Sequence, residues 1–289
     1  MSEYKTQINW FPGHMTKALR MMEEQSKVVD CFLYILDARA FRSCINSSFD
    51  KIIGTKPVLY ILNKSDMIEP SDVKKIISVL SAEGKKVLAC DSKNGQIAKS
   101  VIPLLLQINS EKLARYKAKN LRKAIRAMVI GVPNTGKSTF INKLCGNKKT
   151  ITGNRPGVTR DKQWVKIDSS LELLDTPGTL CPSFSDPKAG VHIAFIGSIK
   201  DAVVDQEQLS RELVIELYNG FNEMFLSRYK INYDGQCKTD IQADEILSLI
   251  ALQRGFTLKG SEPDLIRAGI AVLDDFRKNR IGKIALEVE

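Results

Sequence analysis

Gly131-Val-Pro-Asn-Thr-Gly136-Lys137-Ser138 fits the spacing G-x-x-x-x-G-K-S/T, with a strand-like run before it and a helix-like run after it. That context suits a phosphate loop. Glycines let successive N–H groups curl around phosphate oxygens at a helix N-terminus, Lys137 neutralises them, and the Ser138 hydroxyl is a ligand for Mg²⁺. Asn134, Thr135, Gly136, Lys137, Ser138 and Thr139 are therefore candidate phosphate contacts. The plainer reading is an ordinary glycine turn, which rarely has this spacing by chance. Asp175-Thr-Pro-Gly178 follows the apolar run ending at Leu174, so Asp175 can hold a metal-bound water while the Gly178 amide meets a terminal phosphate. Alone, D-x-P-G is common turn chemistry; beside a phosphate loop it reads as a metal loop.

Asn63-Lys64-Ser65-Asp66 stands directly after another apolar run, where ligands dock outside the carboxyl ends of a parallel sheet. The Asp66 carboxylate can accept two hydrogen bonds, from N1–H and the exocyclic amine of guanine, whereas adenine leaves an acceptor unpaired. Asp66 therefore argues for GTP over the ATP of a P-loop ATPase or small-molecule kinase. Lys64 is expected to lay its stem over the base and Asn63 to brace the loop. Asp91-Ser92-Lys93, after the next run, is a short second base contact in which the Ser92 amide would meet the guanine oxygen. Thr159, in Arg155-Pro-Gly-Val-Thr-Arg160, lies between the phosphate loop and Asp175, where a moving segment can bring a second hydroxyl to Mg²⁺.

The elements that must carry these residues are legible as alternating runs. Cys31–Leu36, Pro57–Leu62, Val87–Cys90, Ala127–Ile130 and Leu171–Leu174 are short, apolar and continuous, as in strands covered on both faces. Amphipathic intervals at 16–28, 71–83, 95–108 and 137–145 complete an α/β pattern with a mainly parallel sheet. From about residue 204 apolar residues recur at helical spacing, as at Leu209, Leu213 and Leu217 and at Leu265, Ile266, Ile270 and Leu273, with no strand run. The expected division is 1–203 for the nucleotide domain and 204–289 for a small all-helical C-terminal domain.

Composition narrows the function classes. No stretch approaches the roughly 18 consecutive apolar residues of a membrane span, and the N-terminus lacks a signal-peptide pattern, so a cytoplasmic protein without membrane contact is expected. Six scattered cysteines without a C-x-x-C pair, and only two histidines, argue for reduced thiols rather than a zinc site or a disulfide framework. The net charge of +10 is uneven: residues 1–203 carry +14 and residues 204–289 carry −4. Lys112, Arg115, Lys117, Lys119, Arg122, Lys123 and Arg126 form an acid-free run that fits either a solvated face or a polyanion contact.

The five loops resemble the guanine-nucleotide motifs of the translation-factor class of GTPases, but in the order base loop, second base loop, phosphate loop, switch, metal loop. With Trp10-Phe11-Pro12-Gly13-His14-Met15, Asp37-Ala38-Arg39, Pro263 through Gly269 and Asp275-Phe276-Arg277, the chain resembles the YlqF/RbgA family of circularly permuted ribosome-assembly GTPases from near residue 8 almost to its end. That resemblance implies a circularly permuted P-loop GTPase domain followed by a helical RNA-contacting domain. It also implies GTP hydrolysis to GDP coupled to late maturation of the large ribosomal subunit, with rRNA and ribosomal proteins as partners. Thr179 and Leu180 stand where many GTPases carry a water-orienting glutamine. The resemblance points instead to His14, acting with Lys137 and Gly178, as the catalytic histidine; the alternative is that His14 supports a turn or touches RNA. Asn134 resembles the asparagine of GTPases that use K⁺ as an extra charge between the phosphates. His192 reads as structural. A nucleotide-gated ribosome- or RNA-binding module with incidental hydrolysis is the competing reading.

Overall fold

The computed structural model describes residues 5–6, 13–94, 97–121, 123–146, 164–180, 184 and 186–288. The elements run α1 (Gly13–Ser26), β1 (Cys31–Asp37), α2 (Asp50–Ile53), β2 (Val58–Asn63), α3 (Pro70–Ala82), β3 (Lys86–Cys90), α4 (Ile97–Ile108), α5 (Ser110–Ala118), β4 (Ile125–Ile130) and α6 (Lys137–Cys145). They continue with β5 (Trp164–Lys166), β6 (Leu171–Leu174), α7 (Pro187–Phe195), α8 (Gln206–Gly220), α9 (Asn222–Tyr229), α10 (Asp240–Gln253) and α11 (Leu265–Arg277). The five expected runs all fall on strands, with Pro57 alone standing just before β2; β5, too short to leave an apolar run, is an addition that closes one edge.

Alternation along each strand sends successive side chains to opposite faces of the sheet. Phe32, Tyr34 and Leu36 of β1 enter one apolar cluster, and Cys31, Leu33 and Ile35 enter the other. The second cluster is roofed by Ile97, Val101 and Leu105 of α4 and by Phe140, Ile141 and Leu144 of α6. All seven β1 residues are buried, which is why the strand reads as a continuous rather than an alternating apolar run.

The sheet order is β3-β2-β1-β4-β6-β5, parallel throughout except for the antiparallel β5–β6 pair. Asp37 lies opposite Asn63, and Asn63 opposite Cys90, so the loops leaving β1, β2 and β3 emerge level at one edge. The chain builds outward from β1 to β3, then returns to add β4 on the other side of β1. The order therefore reverses between β1 and β4, the switch point outside which open α/β sheets bind ligands.

Helices α8, α10 and α11 pack against one another, and α9 against α8. Asp205 caps α8 by accepting from Glu207 and Gln208, Thr239 and Gln242 form a capping box on α10, and Asp264 caps α11. The apolar cluster on the β1 Tyr34 face continues without a break through Leu213, Phe225, Ile250 and Phe276, so these helices share a core with the sheet. One detail departs from the sequence pattern. Ile266 and Ile270 are exposed, and α11 buries Ala268, Val272, Leu273 and Phe276 instead, because Gly269 approaches α8 closely at Ser210. Cys31, Cys44, Cys90, Cys145 and Cys237 form no disulfides among the described residues, and Cys181 lies outside them. Among the described residues no helix is long and apolar enough to cross a membrane.

Candidate functional site

The phosphate loop leaves β4 at Gly131 and enters α6 at Lys137. Gly136 caps that helix at φ +94°, a conformation open to glycine, and a Cβ there would fall 2.4 Å from the Asn63 Nδ2. Thr135 is buried, its hydroxyl donating to the Val132 carbonyl at 3.1 Å, so its contribution to a ligand is backbone. Lys137 is also buried and donates to the Val132 carbonyl at 2.7 Å. Burial pushes its pKa down to about 8, although the Asp175 carboxylate nearby opposes the shift.

A cleft of about 670 Å³ opens over this loop, lined by Asn134, Gly136, Lys137, Ser138, Thr139, Asp175 and Gly178, among others. Ser138 and Thr139 are exposed to it. Asp175 leaves β6 on the same edge of the sheet, and partial desolvation lifts its carboxyl pKa while Lys137 works against the shift. The Thr176 hydroxyl donates to the Val129 carbonyl and pins the metal loop to β4. Gly178 lies so close to the phosphate loop that a Cβ would come within 2.6 Å of Lys137 Nζ and 2.8 Å of Pro133 Cα. The cleft thus brings a lysine, a hydroxyl, a carboxylate and two glycine amides to one floor.

The base loop is tied into that floor. Asn63 Nδ2 donates to the Thr135 carbonyl at 2.7 Å, and Lys64 Nζ donates to the Asn134 carbonyl at 2.8 Å. Lys64 adopts φ 59°, which turns the chain sharply out of β2 into the short helical turn Ser65–Met67. Ser65 is half-buried there, and Asp66 projects its carboxylate into solvent. Asn63 braces more than was expected of it: its Oδ1 accepts from the Ser92 hydroxyl at 2.6 Å and the Ser92 amide at 3.2 Å. The Ser92 amide therefore faces the base loop here, instead of opening toward a nucleotide. Asp91 accepts from Lys93 N at 2.7 Å and Asn94 Nδ2 at 2.9 Å, fixing the second base loop.

Of three further expectations, one lies outside the described residues, one stands apart from the cleft, and one lines it with its side-chain amide engaged elsewhere. Thr159 lies outside the described residues, as do Trp10, Phe11 and Pro12. His14 occupies the exposed first turn of α1 and is not among the residues lining the cleft. Asn134 lies in the left-handed region at φ 60°, and its side-chain amide donates to the Gly197 carbonyl beyond α7. The residue that sequence reasoning left without chemistry is Asp37. Fully buried at the end of β1, it takes an ion pair from Lys64 Nζ at 2.7 Å. A carboxylate closing an apolar strand, with an arginine two residues on, was the available signal.

Fold and site together define a P-loop GTPase, with its base loops ahead of its phosphate loop in the chain. The sequence model of the family described as 50S ribosome-binding GTPase matches residues 126–223, starting at β4 and leaving out the base loops that precede it. The Ribosome biogenesis GTPase A of Priestia megaterium is 36% identical over 97% of this chain and 96% of its own length. The Mitochondrial ribosome-associated GTPase 1 of Bos taurus is 32% identical over 96% and 88%. Among solved structures, that of GNP-bound YlqF from T. maritima covers 94% of this chain and 97% of its own at a TM-score of 0.63, with 23% identity. The chain belongs to the ribosome biogenesis GTPase A family.

Proposed function

We propose that this protein binds GTP over the phosphate loop, hydrolyses it to GDP and phosphate, and couples that cycle to late assembly of the large ribosomal subunit in the cytoplasm. The observation that carries the reading is the pair of hydrogen bonds from Asn63 and Lys64 to the Thr135 and Asn134 carbonyls, which join a guanine-selective loop to a phosphate loop. In this reading Asp66 accepts from guanine, Lys64 lies against the base, Asp91 and Ser92 shape the far wall, and loop amides and Lys137 hold the phosphates.

The donor set suits Mg²⁺, which binds through one or two protein oxygens and keeps phosphates and waters for the rest. Ser138 and Asp175 line one cleft, and among the described residues there is no cluster of three His, Cys, Asp or Glu that could hold a metal by itself. Ser138, Asp175 and Thr159 would hold the ion, which supplies charge neutralisation between the phosphates. K⁺ beside Asn134 would supply a second positive charge in place of an arginine finger. Thr179 and Leu180 are fully buried, so neither side chain orients water in the cleft. His14 is the group we assign to that step, acting when a partner brings the first turn of α1 to the cleft. Hydrolysis by the protein alone is accordingly slow.

Precursor large subunits, with their rRNA and ribosomal proteins, are the partners that fit. Residues 204–289 form the RNA- and ribosome-contacting helical domain, joined to the GTPase domain of 1–203. On the GTPase side, Arg115, Lys117, Lys119 and Lys123 are exposed on and just after α5, and they offer phosphates a basic strip. Changing Asp66→Asn should weaken GTP about 10- to 100-fold and give xanthosine triphosphate the advantage, as read by competition against a fluorescent GDP. Unchanged GTP affinity in that variant, or equal competition by ATP in the parent protein, overturns the guanine-selective reading.

A further inference from the structure

Behind the base loop the chain buries two charges, Asp37 and Arg39, and links them to a third, the half-buried Lys64, in one chain of contacts. The Asp37 carboxylate accepts from Arg39 Nε at 3.0 Å and a terminal Arg39 nitrogen at 2.8 Å, and from Lys64 Nζ at 2.7 Å. The other terminal nitrogen of Arg39 donates to the Phe276 and Arg277 carbonyls, at 3.3 and 3.2 Å, where α11 ends. The Arg39 guanidinium also stands 5.4 Å over the Phe276 ring. Asp37 is fully buried and Arg39 is 2% exposed. Burial alone would raise the Asp37 pKa, yet Arg39 and Lys64 hold its carboxyl well below the usual range.

The backbone follows the same route. The Arg39 carbonyl accepts from Leu286 N at 2.8 Å, and the Met67 carbonyl, at the end of the base-loop turn, accepts from Ile284 N at 3.2 Å. Desolvating an arginine and an aspartate costs several kcal/mol per ion, and removing one partner strands the others. The position of Lys64 Nζ therefore depends on a carboxylate whose own position depends on the end of α11.

We propose that Asp37 and Arg39 are positioning residues for guanine-nucleotide binding: Asp37 fixes the Lys64 ammonium, and Arg39 ties Asp37 to the carbonyls that end α11. The seating of the helical C-terminal region thereby sets the geometry of the base site, and whatever shifts α11 changes nucleotide affinity without touching the cleft. This rests on the reading of Lys64 as a base-loop contact.

A double-mutant cycle on the full chain tests it, with fluorescent GDP affinity as the readout and melting without nucleotide as the control for folding. Lys64→Met and Asp37→Asn should each weaken GDP about tenfold, and Asp37→Asn should add less than about twofold in the Lys64→Met background. Arg39→Lys keeps a cation beside Asp37 but cannot span to both carbonyls, so it decides the matter if Asp37→Asn does not fold. It should weaken GDP about fivefold, again only while Lys64 is present. Effects of Asp37→Asn and Lys64→Met that multiply independently overturn the inference, as does Arg39→Lys with unchanged GDP affinity. If Lys64→Met itself leaves GDP binding unchanged, the base-loop reading fails and takes the inference with it.

Discussion

Lys137 is where burial and ligand charge pull hardest against one another. Its amine is desolvated and its pKa lowered to about 8, while a bound polyphosphate favours the charged form. Binding therefore draws in a proton above that value. Affinity for GDP should be flat below about pH 7.5 and fall through pH 8 to 9, as read by equilibrium binding across that range; an affinity that rises with pH contradicts the assignment. Lys137 and Ser138 were legible because phosphate recognition confines them to a fixed spacing on either side of a strand-to-helix turn. Arg39 was not, since the carbonyls it satisfies belong to Phe276 and Arg277, far along the chain, and no local pattern encodes them. Ser92 was legible as a residue of the site but not in its contact, because which way its amide points depends on Asn63 across the strand edge.

Between β4 and α6 the phosphate loop has room for only one backbone path. A methyl at Gly136 meets the Asn63 amide, the group that bonds Thr135, and φ +94° strains any other side chain there. Gly136→Ala should therefore lower GDP affinity at least tenfold, about 1.4 kcal/mol or more, and also lower the melting temperature of the ligand-free chain by a few degrees, since the displaced Asn63–Thr135 contact is buried and the positive φ strains the new side chain. Calorimetric titration beside a thermal melt separates the two effects. Strands β1, β2 and β4 could be read from sequence because burial on both faces leaves an unbroken apolar run. Trp164–Lys166 could not, because a three-residue edge strand is defined by its pairing with β6 and carries no run of its own. The helical spacing of α11 was legible, but not which of its apolar residues are buried: Ile266 and Ile270 are exposed, and Gly269 lies close against Ser210 of α8.

Across the whole molecule the C-terminal segment acts as a strap, and its buckle is the second histidine. His192, fully buried in α7, places Nδ1 2.9 Å from Glu287 and Nε2 3.0 Å from Glu216 of α8. Glu287 also accepts from the Ser43 hydroxyl and from the Arg42 and Ser43 amides. Burial works against charge on the imidazole, but the two glutamates outweigh it and raise its pKa to about 9. A folded pKa above the unfolded one contributes stability that is complete below about pH 6.5 and lost as pH rises through 9, here about 3 kcal/mol. Urea midpoints at pH 6 and pH 10 should differ by more in the parent than in His192→Gln; equal differences exclude the strap as their source. The sequence marked His192 as structural but could not reveal its two glutamate partners, which come from α8 and from the C-terminal segment. His14 stands on an exposed turn, outside the residues that line the phosphate cleft, which is why we expect hydrolysis to wait for a partner. GTP turnover by the full chain, in K⁺ and in Na⁺, with and without large ribosomal subunits and beside His14→Ala, tests that account most directly. Strong stimulation by subunits, greater in K⁺ and lost in the variant, is the predicted result; turnover that subunits leave unchanged in either salt would contradict it and favour a nucleotide-gated binder.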